Sequence, residues 1–205
     1  TRFMLSIPKG AVLVEKYSVE NAKIEIYKLP TKVRYLYHVS PKEFVLSDEK
    51  YAILDAARRY LSAHRPTEAE TVEPEKSRDL FKNLGRDLIH DIARTTNVQL
   101  SSAEIEELAD ILARYTAGYG VLELLLADDR IQDIFVNSPI GQTNIFLVHS
   151  DYEECETNLI PTGEDADSWA TRFRLYSGRP LDESNPVLDT ELIVPNGRAR
   201  VAAIT

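Results

Sequence analysis

Apolar and polar positions alternate in short runs through residues 11–39, where AVLVEKYSV, AKIEIYKL and KVRYLYHV mix aliphatic, aromatic and β-branched side chains and break at Glu20-Asn21 and Pro30-Thr31. That spacing predicts two or three antiparallel strands. The period then lengthens: Tyr51, Leu54, Ala57 and Leu61 recur at helical spacing behind Ser47. Asp48 and Glu49 suit the positive end of a helix dipole, so a helix is expected to begin there and to stop before Pro66. Leu80, Leu84, Leu88 and Ile92 fall every fourth residue with Phe81 and Ile89 beside them, laying an apolar stripe along a long helix. Such a face needs a partner. Ser101, with Glu104 three residues on, forms a capping-box pattern ahead of Ile105, Leu108, Ile111, Leu112 and Tyr115, which predicts the partner helix.

Gly118 and Gly120 close that helix, and a short apolar helix is expected over residues 121–126. Strand-like runs around 131–136, 144–149 and 152–158 suggest a meander. Thr162 opens a further helix whose Ala166, Trp169, Phe173 and Tyr176 share one side, and Gly178 stands where a left-handed terminus favours glycine. Residues 187–194 and 198–204 read as a hairpin across Pro195-Asn196-Gly197, with Asn-Gly as the reversal signal. The pattern predicts the α+β class, with helices on one face of a largely antiparallel sheet after a smaller N-terminal unit. HRPTEAETVEPE, residues 64–75, is acidic, holds two prolines and has little to bury, so it reads as a linker. The expected division is a strand/helix subdomain over 1–66, an acidic linker over 67–75, a helical pair over 76–117 and an α+β domain over 118–205.

Composition narrows the function classes. Across 205 residues, 24 Lys+Arg stand against 33 Asp+Glu, a net charge of −9, and this acidic balance disfavours a sequence-independent grip on nucleic acid, which is therefore not an expected partner. Cys155 is the one cysteine, so no intramolecular disulfide is possible and a cytoplasmic location is the default. The longest apolar stretch, near residues 121–127, is interrupted by Glu123 and falls far short of the ~20 residues a spanning helix needs. The chain begins at Thr1 without an initiator methionine, as a piece of a longer protein would.

Few constellations carry chemistry. His38, His64, His90 and His149 are scattered without a second ligand at zinc spacing, so no metal site is expected and packed or solvated histidines are the favoured reading. Cys155 lies between Glu154 and Glu156, whose negative charge is expected to disfavour the thiolate. Asp128, Asp129 and Asp133 could supply paired carboxylates, but they flank a helix-to-strand turn where Asp serves local backbone bonding. Gly118-Tyr119-Gly120 lacks the third glycine of a dinucleotide loop and follows a helix. No Gly-Lys pair occurs, so the phosphate loop G-x-x-x-x-G-K-[ST] is absent and no catalytic residue is assigned. Arginine is more informative: Arg172, Arg174 and Arg179 are followed by Arg198 and Arg200 in NGRARVAAI. Positions 198 and 200 alternate along a strand and share a face, where two planar forks could meet one anion. Pairing with Glu191 or Asp189 across the hairpin is an equal reading of the same spacing.

From Gly118 onward, GYGVLELLLADDRIQDIFVNSP resembles the N-terminal region of type II/type IV secretion ATPases, the motors of pili, archaella and conjugation. The resemblance continues through WATRFRLYSGRPLDESNPVLDTELIVPNGRARVAAI, similar to the segment these motors carry before their RecA-like core, and YHVSPKEFVLSDEKYAILDAARRYLSAHRP resembles the extension of archaeal members. The resemblance covers nearly all of residues 35–205, and the first 34 more loosely. The family implies a cytoplasmic homohexamer, peripheral at the cytoplasmic face of the membrane, that attaches to an inner-membrane platform protein and turns ATP hydrolysis into domain movement. It implies that residues 118–205 are a PAS-like α+β domain whose arginines reach a nucleotide held by the chain's own C-terminal ATPase core. Arg200, in the family's G-R-x-R-V pattern, is carried over first as nucleotide-proximal, and Arg198 second. ATP and Mg would be bound mainly by that core, because the family's Walker and acidic and histidine boxes lie beyond Thr205. On this reading the fragment is inactive alone, and its unit before the linker is expected to face the membrane platform or other machinery, as an appended domain with its own surface serves partner choice. The alternative is a stand-alone PAS-like interaction or sensory module, with a native stop near Thr205 and an internal ligand pocket. An enzyme within the fragment itself has little support.

Overall fold

The computed structural model of the chain describes residues 1–64 and 73–205. Its first strands lie where alternation places them: after the two-residue β1 (Arg2–Phe3) come β2 (Val12–Val19), β3 (Ala22–Lys28) and β4 (Tyr35–Pro41), the last three paired antiparallel in sequence order. Ile24 and Ile26 of β3 are fully buried, and β4 is buried on both faces from Leu36 to Val39. Burial on both faces marks a central strand. The neighbour on its far side is β7 (Glu153–Thr157), which runs parallel to it with Tyr35 opposite Cys155 and Tyr37 opposite Thr157.

That junction joins two distant stretches of chain. The antiparallel meander of β5 (Ile131–Phe135), β6 (Phe146–His149) and β7 continues through β4 into the N-terminal strands as one six-stranded sheet, ordered β2-β3-β4-β7-β6-β5. The fold is α+β with a mainly antiparallel sheet. The division of the chain differs from the expected one. One compact unit comprises Thr1–Lys42 with Val121–Thr205, and the other is Glu43–Gly120. The strands and the helix expected together over 1–66 therefore part company, and residues 118–205 share their sheet with residues 12–41. The reason is physical: a parallel pairing needs a long crossover, and its register leaves no local trace in the sequence.

The rest of the first unit consists of smaller pieces. β8 (Leu159–Ile160) pairs with β1. α4 (Val121–Leu126) precedes the meander, and α5 (Gly163–Ser177) follows it with a full capping box between Thr162 and Asp165 and a left-handed Gly178 at its end. The hairpin of β9 (Val187–Val194) and β10 (Gly197–Ile204) forms its own two-stranded sheet instead of extending the large one. Its reversal is Pro195-Asn196, since Gly197 already pairs with Val194. Gly197 is required for another reason: a Cβ there would lie 2.4 Å from the Leu126 carbonyl oxygen, so only glycine lets β10 approach α4 this closely.

The second unit is a bundle of α1 (Asp48–Ala63), α2 (Pro74–Thr95) and α3 (Ser102–Thr116). Ser47 caps α1 by accepting from the Lys50 amide, and Ser101 and Glu104 cap α3 reciprocally. The three stripes meet in a core that includes Leu54, Leu61, Phe81, Ile89, Leu108 and Leu112. The expected helical pair is thus three helices. α2 begins at Pro74, so residues 73–75 of the expected linker open a helix, while residues 67–72 lie outside the described residues. Glu43 accepts from Arg114 at 3.0 Å and from the Tyr115 hydroxyl at 2.6 Å, a nearly buried ion pair whose lone pairs are taken up by added hydrogen bonds. Among the described residues no helix is long and apolar enough to cross a membrane.

Candidate functional site

The densest polar constellation lies where the six-stranded sheet curls. At a spacing of ~4.8 Å per strand a flat sheet would separate β2 from β6 by roughly 19 Å. The Tyr17 hydroxyl of β2 nevertheless lies 3.0 Å from Nε2 of His149 on β6. Asp128, in the turn between α4 and β5, collects the strands: its Oδ2 accepts from the Tyr17 hydroxyl at 2.6 Å and from the Tyr37 hydroxyl of β4 at 2.8 Å. Its Oδ1 accepts the Arg130 amide at 3.0 Å, the local turn bond expected of an Asp at this place. Asp128 and His149 are buried, and Tyr37 is fully so.

The hydrogen bonds fix the protons. His149 Nδ1 accepts from the Asp151 amide at 3.1 Å, so Nε2 carries the hydrogen and donates to the Tyr17 oxygen, whose own hydrogen goes to Asp128. Burial, then the Arg130 guanidinium, pushes the His149 pKa below the usual histidine range and keeps the ring neutral. Burial and Asp128 push Tyr17 and Tyr37 upward, so neither ionises near neutrality. A second layer stands beside this one. Arg130 holds Glu15 of β2 with two bonds of 2.8 and 2.9 Å, reaches Asp151, and lies 4.6 Å from the centre of the Tyr17 ring. The guanidinium and then the Tyr152 hydroxyl, which donates to Glu15 at 2.6 Å, hold the Glu15 carboxyl down at about 2.

Chemically this arrangement is a lock. Every hydrogen on Tyr17, Tyr37 and His149 Nε2 already has an acceptor, which leaves no general base facing an open site, and the bonds tie β2, β4, β6 and the turn before β5 into one curved sheet. The sequence alone reads His149 as packed or solvated and Asp128 as a turn residue. Both descriptions fit, but the long-range tyrosine bonds were missed because Tyr17, Tyr37, Asp128 and His149 have no common motif.

Cys155 is buried and its thiol is pushed up to about 12. The cause is burial, which corrects the expected role of its neighbours: Glu154 and Glu156 point to the opposite side of β7, where they pair with Arg34 and Lys32. Among the described residues no group of three His, Cys, Asp or Glu side chains could hold a metal ion. The arginines near the end are placed separately. Arg174 donates to the Leu181 carbonyl at 3.2 Å, Arg179 to the Asp189 carbonyl at 3.4 Å, and Arg172 to Ser168. Arg198 and Arg200 share the outer face of β10 with side chains 73% and 83% exposed. Both meet carboxylates of β9 diagonally: Arg198 Nε donates to Glu191 at 3.0 Å, and Arg200 donates to both oxygens of Asp189 at 3.1 and 2.5 Å. Arg200 holds the Asp189 pKa below its ordinary value. Of the two readings of this spacing, cross-strand pairing is the arrangement adopted by the chain on its own.

A cavity of about 220 Å³ opens elsewhere in the same unit, between residues 4–9, the loop after β3, and β7, with Met4, Leu36 and Asn158 in its wall.

No family model matches the chain. Two relatives are uncharacterized proteins of Methanocaldococcus jannaschii. MJ1288 is 26% identical over 191 residues, which cover 92% of this chain and 71% of that protein. MJ0781 is 32% identical over 101 residues, covering 49% of this chain and 13% of that protein. The matched stretch is thus a small part of MJ0781.

Proposed function

We propose that this chain is the N-terminal regulatory and partner-binding domain of a hexameric secretion ATPase that powers protein export or the assembly of pilus-like filaments. The observation that carries the reading is the pair of guanidinia on one open strand face, at the end of the long stretch of sequence that resembles these motors. Arg198 and Arg200 sit side by side, fully charged, each held by a single exposed carboxylate. Exposed pairs of this kind contribute little to stability, so a phosphate offering the same forked geometry can take the place of the carboxylate. The residues here supply counter-charge without a cradle, since the sequence lacks the phosphate loop. ATP and Mg would be held by the C-terminal core of a longer protein, with the hairpin arginines favouring closure of the two parts when nucleotide is present. Neighbouring subunits and an inner-membrane platform protein are the other partners in this reading.

The test is Arg200→Glu in the longer protein that carries the core. Hydrolysis is expected to fall about tenfold or more, as for loss of a charged contact to phosphate. The isolated domain should keep its circular dichroism, because the Arg200 side chain is exposed. Unchanged turnover would remove Arg200 from the nucleotide site and with it the observation on which the reading stands.

A further inference from the structure

The charge of this chain is unevenly distributed. Residues 1–42 hold eight lysines and arginines against three glutamates, within a chain whose net charge is −9. Six of those eight are lysines, at 9, 16, 23, 28, 32 and 42. The same stretch holds exposed aliphatic side chains: Leu5 is 59% exposed, Val12 60% and Val33 fully, with Leu13 and Val14 exposed between them. Val14 falls at the β-bulge of β2, where the pairing with β3 slips between Leu13 and Glu15.

The aliphatic side chains, with Lys9, Lys28 and Lys32, belong to one end of the sheet, whereas Lys23 and Lys42 lie at the other, beside the turn between β2 and β3. The wall of the cavity brings residues 4–9 beside Pro30, Thr31 and Lys32. Gly10 lies against Pro30, and Val12 pairs with Lys28. Exposed aliphatic side chains and lysines therefore share this end of the sheet, with Lys9 and Lys28 exposed and Lys32 tied to Glu156. Protein interfaces favour arginine, tyrosine and tryptophan and are depleted in lysine. Exposed aliphatic groups flanked by lysines instead suit the boundary of a bilayer, where apolar tips enter the acyl region and the ammonium groups remain among anionic headgroups. The remaining 163 residues hold 16 lysines and arginines against 30 acids, so the stretch 1–42 is the part of the chain whose net charge complements an anionic surface.

We infer that the end of the first unit formed by residues 4–14 and 28–33 docks directly on an anionic lipid surface. This goes beyond the preceding reading, in which a platform protein makes the membrane contact. Loss of lipid binding would leave the Arg200 hydrolysis test untouched, so the two can fail separately.

The experiment is flotation of the chain with vesicles of phosphatidylcholine alone and of phosphatidylcholine mixed with phosphatidylglycerol. Flotation with the mixed vesicles only, weakening as salt rises, is expected. Lys9→Glu/Lys28→Glu should lower partitioning about tenfold or more, from the loss and reversal of charge near the surface. Leu13→Ser should lower it as well, while Arg198→Glu/Arg200→Glu leaves it no weaker than three-quarters or so of the original. Unchanged circular dichroism in each variant separates lost docking from lost folding. Failure to float with the mixed vesicles, equal binding to both compositions, or full binding by Lys9→Glu/Lys28→Glu would each overturn the proposal. Binding of polyglutamate without vesicle binding would overturn it too and reassign the rim to an acidic protein.

Discussion

At the scale of single residues, Asp128 joins parts of the fold that lie far apart in sequence. One carboxylate oxygen serves two tyrosine hydroxyls from strands that are not neighbours, and the other closes its own turn. Removing such an acceptor leaves a buried hydroxyl without a partner, at a cost of about 1–3 kcal/mol, whereas removing one hydroxyl forfeits a single bond worth about 0.5–1.5 kcal/mol. Asp128→Ala is therefore expected to destabilise the first unit more than Tyr37→Phe does, as read from urea midpoints. The double variant should cost less than the two single losses together, since both act on one bond. Strict additivity, or an Asp128→Ala protein as stable as the parent, would show that the network does not hold the curl. Little of this was legible beforehand. The turn role of Asp128 follows from its place between a helix and a strand, but its tyrosine partners lie 91 and 111 residues away, and only the folded sheet brings them together.

At the scale of elements the sequence was far more informative, because each signal was local. The capping box at Ser101, the helix start at Thr162, the glycine at 178 and the four-residue stripe of α2 each dictate a structure within one or two turns of themselves. The hairpin is the instructive exception. Its strands were legible from alternation, yet Asn-Gly, the strongest short-range reversal signal, does not make the turn. Gly197 starts β10, and its missing side chain accommodates the Leu126 carbonyl. A tertiary contact thus explains a residue that local reasoning credits to the loop. Gly197→Ala should accordingly lower stability by about 1–3 kcal/mol through overpacking against backbone that cannot rotate away. Gly163→Ala, where an added Cβ meets nothing within 4 Å, should be neutral or slightly stabilising. Similar urea midpoints for the two variants would return Gly197 to a turn role.

At the scale of the whole molecule, the topology separates what is continuous in sequence from what is continuous in space. The sheet is closed by the parallel pairing of β4 with β7, which draws on residues from both sides of the helical segment. The helical unit, Glu43–Gly120, is by contrast one uninterrupted run with capped helices and its own apolar core. Its contacts are local, and a three-helix bundle of this size falls within the range that folds alone. The sequence placed a boundary in the acidic stretch near residue 67, because composition marks where little can be buried. The division falls instead at residues 42 and 120, where an inserted unit leaves and rejoins the sheet. Residues 43–120 expressed alone are therefore expected to give a helical circular dichroism spectrum and a cooperative thermal transition. A fragment of 1–66, which joins three strands of an incomplete sheet to one helix of an incomplete bundle, should show neither. If 43–120 stays unfolded while 1–66 folds, the boundary read from composition is the true one and the insertion is not an autonomous unit.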